Sequence, residues 1–215
     1  MSLVLLWVLF HLQRGLAVGV KIVKALPKYG SSLKQNVSSI MPKIANYLQS
    51  CADKKISRGV PPANAPLTQA VKQGDKTLRD NGNLAASIAP HYGDDWADAS
   101  TKAKQAKILQ EGGTITTKGK GLWIPAGSNT RKLMRSYSAT SPGQLISFMK
   151  ADGWKMWKQG KAFMAQKGKT SAFVLFIIKN SVKIPARPFL YISDAEERKI
   201  DLIIRDAVFK SLKED

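Results

Sequence analysis

Histidine and cysteine are nearly missing from this chain, with two His and one Cys in 215 residues. Cys51 alone cannot form an internal disulfide, and a reducing compartment is the simpler setting. His11, His91 and Cys51 are too few and too scattered for a structural zinc site or a Cys–His nucleophile pair. Acidic residues are the second shortage: 15 Asp+Glu stand against 34 Lys+Arg, a formal net charge of +19. The adjacent pairs Asp94-Asp95 and Glu196-Glu197 fall in a turn and at a helix start. Solvation or the helix dipole accounts for such pairs, so nothing marks a general-acid couple. Gly112-Gly113 lacks the spacing and the Lys-Ser/Thr pair of a phosphate-cradling Walker loop. The expectation is a protein with no catalytic set, no metal and no cofactor, and not an enzyme.

Long apolar runs are also missing. Leu3 to Leu12 is the most hydrophobic stretch, but it is too short to span a bilayer, and Gln13 and Arg14 interrupt it. Met1-Ser2 carries no side-chain cation of the kind a secretory signal needs. Residues 1–30 are therefore read as an apolar N-terminal helix or arm that packs on a partner subunit, and a membrane role is disfavoured.

What is present is a folded composition, 44% apolar, under a strongly basic surface. That charge suits a nucleic acid or another polyanion. Zinc-finger spacing and a clear helix-turn-helix are both absent, and the lysines are spread along the chain. A basic nucleic-acid-binding protein stands as the alternative reading of function.

From residue 31 onward the pattern predicts one α+β domain, an antiparallel sheet of meander and hairpins packed by N-terminal and C-terminal helices. Leu33, Val37, Ile40, Met41 and Ile44, then Leu48, Cys51 and Ile56, recur at helical spacing as far as Gly59. Pro42 either kinks this helix or opens a second one. Val60 to Leu67 is an extended proline-rich crossing. Asp80-Asn81-Gly82 is a turn signal. Ala106 to Thr117 is read as strand, Gly112-Gly113 turn and strand, followed by a hairpin-type turn at 118–121 and the strand Leu122 to Pro125. Ala126 to Gly143 is read as a long loop insertion. Three strand-like runs follow at Trp154 to Trp157, Ala162 to Ala165 and Ala172 to Lys179, with Gly160 and Gly168 between them. They describe a meander decorated with lysines, in which Trp154 and Trp157 are expected in the core.

The C-terminal part is organised around Ile184-Pro185-Ala186-Arg187-Pro188-Phe189-Leu190. Pro185 and Pro188 fix φ and push Ile184 and Arg187 toward extended backbone, so the segment is a rigid arch. It is expected to carry the chain from a buried strand into the last helix, which the capping box Ser193 to Glu196 opens. Phe189 and Leu190 should plug the core and Arg187 should be held outward. Ile200, Ile203, Ile204, Ala207, Val208 and Leu212 make the buried stripe of that helix.

Three of these segments, in order, resemble a known family. Leu78-Arg79-Asp80-Asn81-Gly82-Asn83-Leu84 is similar to a Leu-x-Asp-Thr-Gly-x-Leu segment of tailed-phage virion morphogenesis proteins. Ile108-Leu109-Gln110-Glu111-Gly112-Gly113 resembles their His-Gln-Phe-Gly-Gly segment, and Ile184 to Leu190 resembles their Ile-Pro-Ala-Arg-Pro-Phe-Leu signature. This chain departs from the pattern at Asn81, Leu109 and Glu111, and by an insertion after Gly113. The family is similar to the tail completion or head–tail joining proteins of Mu-like and related phages. The resemblance implies a structural virion part that assembles as a ring at the phage neck, hexameric by preference, beside other neck and tail proteins. It places the protein in the virion, and in the host cytoplasm during assembly, and leaves room for non-specific DNA contact in the ring lumen. Arg187, Pro185, Pro188, Phe189, Asp80, Gly82, Gln110, Gly112 and Gly113 are the motif and subunit-interface candidates that it carries over.

Overall fold

The fold is described from a computed structural model covering residues 7–9, 18–23, 31–72, 74–119 and 121–214, with side-chain burial over 35–72, 74–119 and 121–209. In chain order the elements begin with strands β1 (Trp7–Leu9) and β2 (Val18–Val23) and helices α1 (Ser31–Arg58), α2 (Pro66–Val71) and α3 (Asn83–Ala86). Strands β3 (Ile88–Tyr92) and β4 (Trp96–Thr101), helix α4 (Ala106–Glu111), and strands β5 (Gly113–Thr116) and β6 (Leu122–Pro125) come next. Helices α5 (Ser128–Ser136) and α6 (Pro142–Ala151) precede strands β7 (Trp154–Gln159), β8 (Ala162–Lys167), β9 (Phe173–Lys179) and β10 (Ser181–Ile184), and helix α7 (Asp194–Glu214) closes the chain. The architecture is α+β, and the strand pairs among the described residues are antiparallel.

The single domain predicted over 31–215 resolves into two compact units. Unit 1 comprises residues 1–62, 76–112 and 185–215, and unit 2 comprises 63–75 and 113–184.

Unit 1 is built on α1. Val37, Met41, Ile44, Ala45, Leu48, Ala52 and Ile56 are all buried, at the i, i+3/i+4 spacing of one helical face. Each large member of that stripe contributes about 1.5–3 kcal/mol when fully buried. The helix runs through Pro42 without ending. One side of α1 meets β3 and β4, and α7 packs on it through Ile200 and Ile204. Strand β4 presents Ala97 and Ala99 to this core, and their small side chains let the helix approach the sheet closely. The sheet order is β1-β2-β4-β3, so Pro90 lies on an edge strand, where its missing N–H costs least.

The N-terminal expectation is corrected where the chain is described. Trp7–Leu9 is strand, paired with Val23, Ile22 and Lys21 of β2, and not helix. A short apolar run rich in Leu, Val and aromatics carries no period that separates strand from helix. The rest of the Leu3 to Leu12 stretch lies outside the described residues.

Unit 2 holds a four-stranded sheet of order β6-β9-β8-β7 and a separate β5–β10 pair. The meander is as predicted. Its inner face, with Met156, Ala165, Phe173 and Leu175, packs against Leu133 and Met134 of α5 and Leu145 and Met149 of α6. Trp123 makes edge-on contacts with Phe163 and Phe176, at centroid distances of 5.0 and 5.7 Å. A register shift between Phe163 and Met164 lets the adjacent residues Leu175 and Phe176 both turn inward, which unbroken alternation forbids.

Four local expectations are overturned. Residues 106–111 form helix, not strand, since Ala106, Lys107, Leu109, Gln110 and Glu111 are all good helix formers and Gly112 terminates them. Strands β5 and β6 do not pair as a hairpin; β5 pairs with β10 and β6 with β9. The stretch 126–143 is not a loop insertion, because α5 fills its centre and the Thr130 hydroxyl donates to the Leu175 carbonyl at 2.7 Å. Strand β10 also stands between the buried strand β9 and the arch.

Candidate functional site

Two of the motif segments, the end of α4 and the arch, meet in unit 1 through hydrogen bonds to backbone groups. Helix α4 ends at Glu111, and Gly112 (φ 74°, ψ −180°) turns the chain out of it. That positive φ suits glycine, and the Gly112 N–H still caps the helix on the Ile108 carbonyl at 2.9 Å. Within the last turn of α4, the Gln110 carboxamide grips the arch. Its Oε1 accepts from the Phe189 and Leu190 N–H groups at 3.0 and 3.1 Å, and its Nε2 donates to the Leu190 carbonyl at 3.0 Å. The Arg187 N–H donates to the Leu109 carbonyl at 2.8 Å. The two prolines leave the arch short of donors, and the donors it keeps at 187, 189 and 190 are all met by α4.

Phe189 and Leu190 are buried as expected, at 0% and 2% exposure. Arg187 is not held outward. It is 7% exposed, and its Nε donates to the Pro62 carbonyl at 2.8 Å. Burial lowers its pKa from the ordinary arginine value. The prolines fix the backbone but not which way the side chain at 187 leaves it. Pro185 is half-buried and Pro188 exposed.

The first motif joins the same apolar core through Leu78 and Leu84, and its neighbour Thr77 holds Val60. The buried Thr77 hydroxyl accepts from the Val60 N–H at 2.5 Å and donates to the Val60 carbonyl at 2.6 Å. Leu78 takes φ of 60° and packs on the core, and Gly82 (φ 83°) opens α3, where Leu84 is buried. Asp80 and Gly82 are half-buried, and Gly113 is exposed at the start of β5.

Beyond the arch, Glu196 is a second node. It accepts from the Ser193 N–H and hydroxyl at 2.8 and 2.9 Å, which is the back-reaching half of the predicted capping box. Both its oxygens also take Lys55 Nζ at 2.8 Å, and the same ammonium donates to the Tyr191 carbonyl at 2.9 Å. Burial alone would raise the Glu196 pKa, but the hydrogen bonds from Lys55, Ser193 and Cys51 outweigh it and hold the carboxyl down at about 2. Burial pushes the neighbouring Tyr47 phenol up to about 12 and also raises the Cys51 thiol, so Cys51 is a core residue. Lys55 is a partner that sequence spacing missed; its place in the last turn of α1 was the only available signal.

Among the described residues no group of three or more His, Cys, Asp or Glu is placed to hold a metal ion, and no helix is long and apolar enough to cross a membrane. The motif residues at 110, 112, 187 and 189 are spent on holding backbone to backbone or on filling the core.

The fold is α+β, and this interlock ties the α4 and arch motifs together. The chain belongs to the phage virion morphogenesis family, whose match covers residues 20–139. That span takes in the first two motifs and stops before the arch. No curated protein and no solved structure matches the chain. Membership gives the protein a role in phage virion assembly.

Proposed function

We propose that the protein is a structural subunit of the phage neck, a tail-completion or head–tail connector protein that works by ring assembly, hexameric by preference, and not by catalysis. The observation that carries this is the interlock of Gln110 with Phe189 and Leu190, which spends the motif residues on rigidity. A ring subunit needs that property, because it must present the same surface to each neighbour. Family membership supports the virion setting. The contact surface is the outer face of α7, where Leu202 and Phe209 lie seven residues apart and are 60% and 62% exposed. Seven residues is nearly two helical turns, so both project along one stripe, opposite the buried Ile200 and Ile204. Exposed apolar stripes of this kind mark contact sites, and a neighbouring copy of the chain is the occupant a ring requires.

The test is electron microscopy and mass photometry of the purified full-length protein, beside particle completion in the parent phage. Closed rings and tailless or unjoined particles in its absence are expected. Leu202→Lys with Phe209→Lys should dissolve the ring while leaving thermal melting unchanged. A protein that stays monomeric at all concentrations, in a phage that completes its particles without it, would defeat the reading.

A further inference from the structure

Acidic residues, not basic ones, are unevenly divided between the two units. Unit 2 holds 14 of the 34 Lys+Arg in 85 residues and only two acids, Asp75 and Asp152, so it carries +12 of the formal +19. Asp152 is already engaged, since Lys167 Nζ donates to it at 2.7 Å and the Tyr137 hydroxyl also donates to it. At one end of the four-stranded sheet lies an open cavity of about 410 Å³, formed where the β7–β8 turn meets the β9–β10 turn. Its lining includes Lys158, Lys161 and Lys179 together with Asn180 and Ser181, and, among the described residues, no carboxylate.

From this we infer that unit 2 carries a binding site for the sugar-phosphate backbone of double-stranded DNA, with a phosphate seated among Lys158, Lys161 and Lys179. Three lysines around a cavity that no acid among the described residues lines create a local excess of positive potential, and the concave shape concentrates it. Asn180 and Ser181 bring the neutral polar groups that complete a phosphate's hydrogen bonds.

The remaining charge says what kind of anion this is. Twelve of the 14 cations of the unit are Lys and two are Arg, spread from Lys72 to Lys183. An acidic protein patch is discrete and is best matched by a few forked guanidinium contacts. Duplex DNA is a continuous line of charge, met by many point charges that need no fixed geometry. Trp157, 38% exposed, lies with Met164 and Val174 in one row across the outer sheet face and adds exposed apolar surface to the unit. Its sequence context places it in the core with Trp154, but only Trp154 packs there. The inference stands apart from the neck proposal, because it concerns the isolated protein and needs no ring.

The experiment is fluorescence anisotropy of the full-length protein with a labelled duplex of arbitrary sequence, across a series of salt concentrations. Log affinity should fall linearly with log salt. The triple variant Lys158→Gln, Lys161→Gln, Lys179→Gln should make that slope shallower by about 2–3, at roughly 0.9 for each phosphate no longer neutralised. A control with the same charge change elsewhere on the unit, Lys118→Gln, Lys132→Gln, Lys150→Gln, should leave the slope nearly as in the wild type. Equal decreases in both triples, or no change in the first, would overturn the site. Competition by polyglutamate as strong as by unlabelled duplex would overturn the ligand and point to an acidic protein partner. Failure of either kind leaves ring assembly, measured separately, unaffected.

Discussion

Gln110 and Leu190, 80 residues apart in the chain, exchange two hydrogen bonds, so that one carboxamide closes on the N–H and C=O of a single residue. The same Oε1 also holds the Phe189 N–H. A side chain of one motif thereby fixes the backbone of another, across the long stretch of chain that builds most of the second unit.

Gln110→Ala should lower stability by about 2–4 kcal/mol, because it strips partners from two N–H groups and one carbonyl that are partly or fully shielded from water. Gln110→Glu keeps the acceptor for both N–H groups but sets a carboxylate oxygen against the Leu190 carbonyl where the amide N–H stood, so it should recover only part of the loss. Urea unfolding of both variants measures this. An alanine variant within about 0.5 kcal/mol of the wild type would mean that the interlock contributes little.

Arg187→Ala should unfold the protein much as Phe189→Ala does, because both side chains are buried in unit 1. Phe189→Ala is expected to cost about 3–5 kcal/mol. Arg187→Lys should recover only part of the difference, since an ammonium cannot reproduce the planar fork that reaches the Pro62 carbonyl. Thermal melting of the three variants decides the matter. A normal melting temperature for Arg187→Ala would return the residue to the surface role that its sequence context suggested.

Acid should weaken unit 1 through Glu196. Its carboxyl is held at about 2 in the folded chain, below the ordinary value of 4.5. A depressed carboxylate stabilises the fold above the unfolded value, and that stabilisation is lost as pH falls from about 4.5 toward 2. Chemical unfolding at a series of pH values should therefore show a slope in that window. Glu196→Gln should flatten the slope, and Lys55→Met should reduce it by removing the largest hydrogen-bonding cause of the depressed value. An unchanged slope in Glu196→Gln would assign the acid sensitivity to other carboxylates.

Much of the fold was legible in the sequence wherever a period or a local rule acts on neighbouring residues. The apolar stripe of α1, the three strands of the meander, the buried pair Phe189 and Leu190, the Ser193–Glu196 cap and the motif order that points to the family are all of this kind. Helix α4 was misread as strand, although the good helix formers from Ala106 to Glu111, stopped by Gly112, carried the signal.

Other features belong to the tertiary structure alone. Arg187 turns inward because the Pro62 carbonyl waits for its Nε, and a proline on either side dictates φ but not the direction of a neighbouring side chain. The choice of β10 as the partner of β5 joins segments far apart in the chain, Gly113–Thr116 with Ser181–Ile184. The +12 of unit 2 lies wholly in 113–184, since Lys72 and Asp75 cancel, and was readable along the chain; that Lys158, Lys161 and Lys179 of that stretch line one cavity was not. Local sequence specifies the elements through interactions a few residues long. Which carbonyl, carboxylate or lysine stands beside which is settled only when distant segments compete for the same buried space and the same hydrogen bonds.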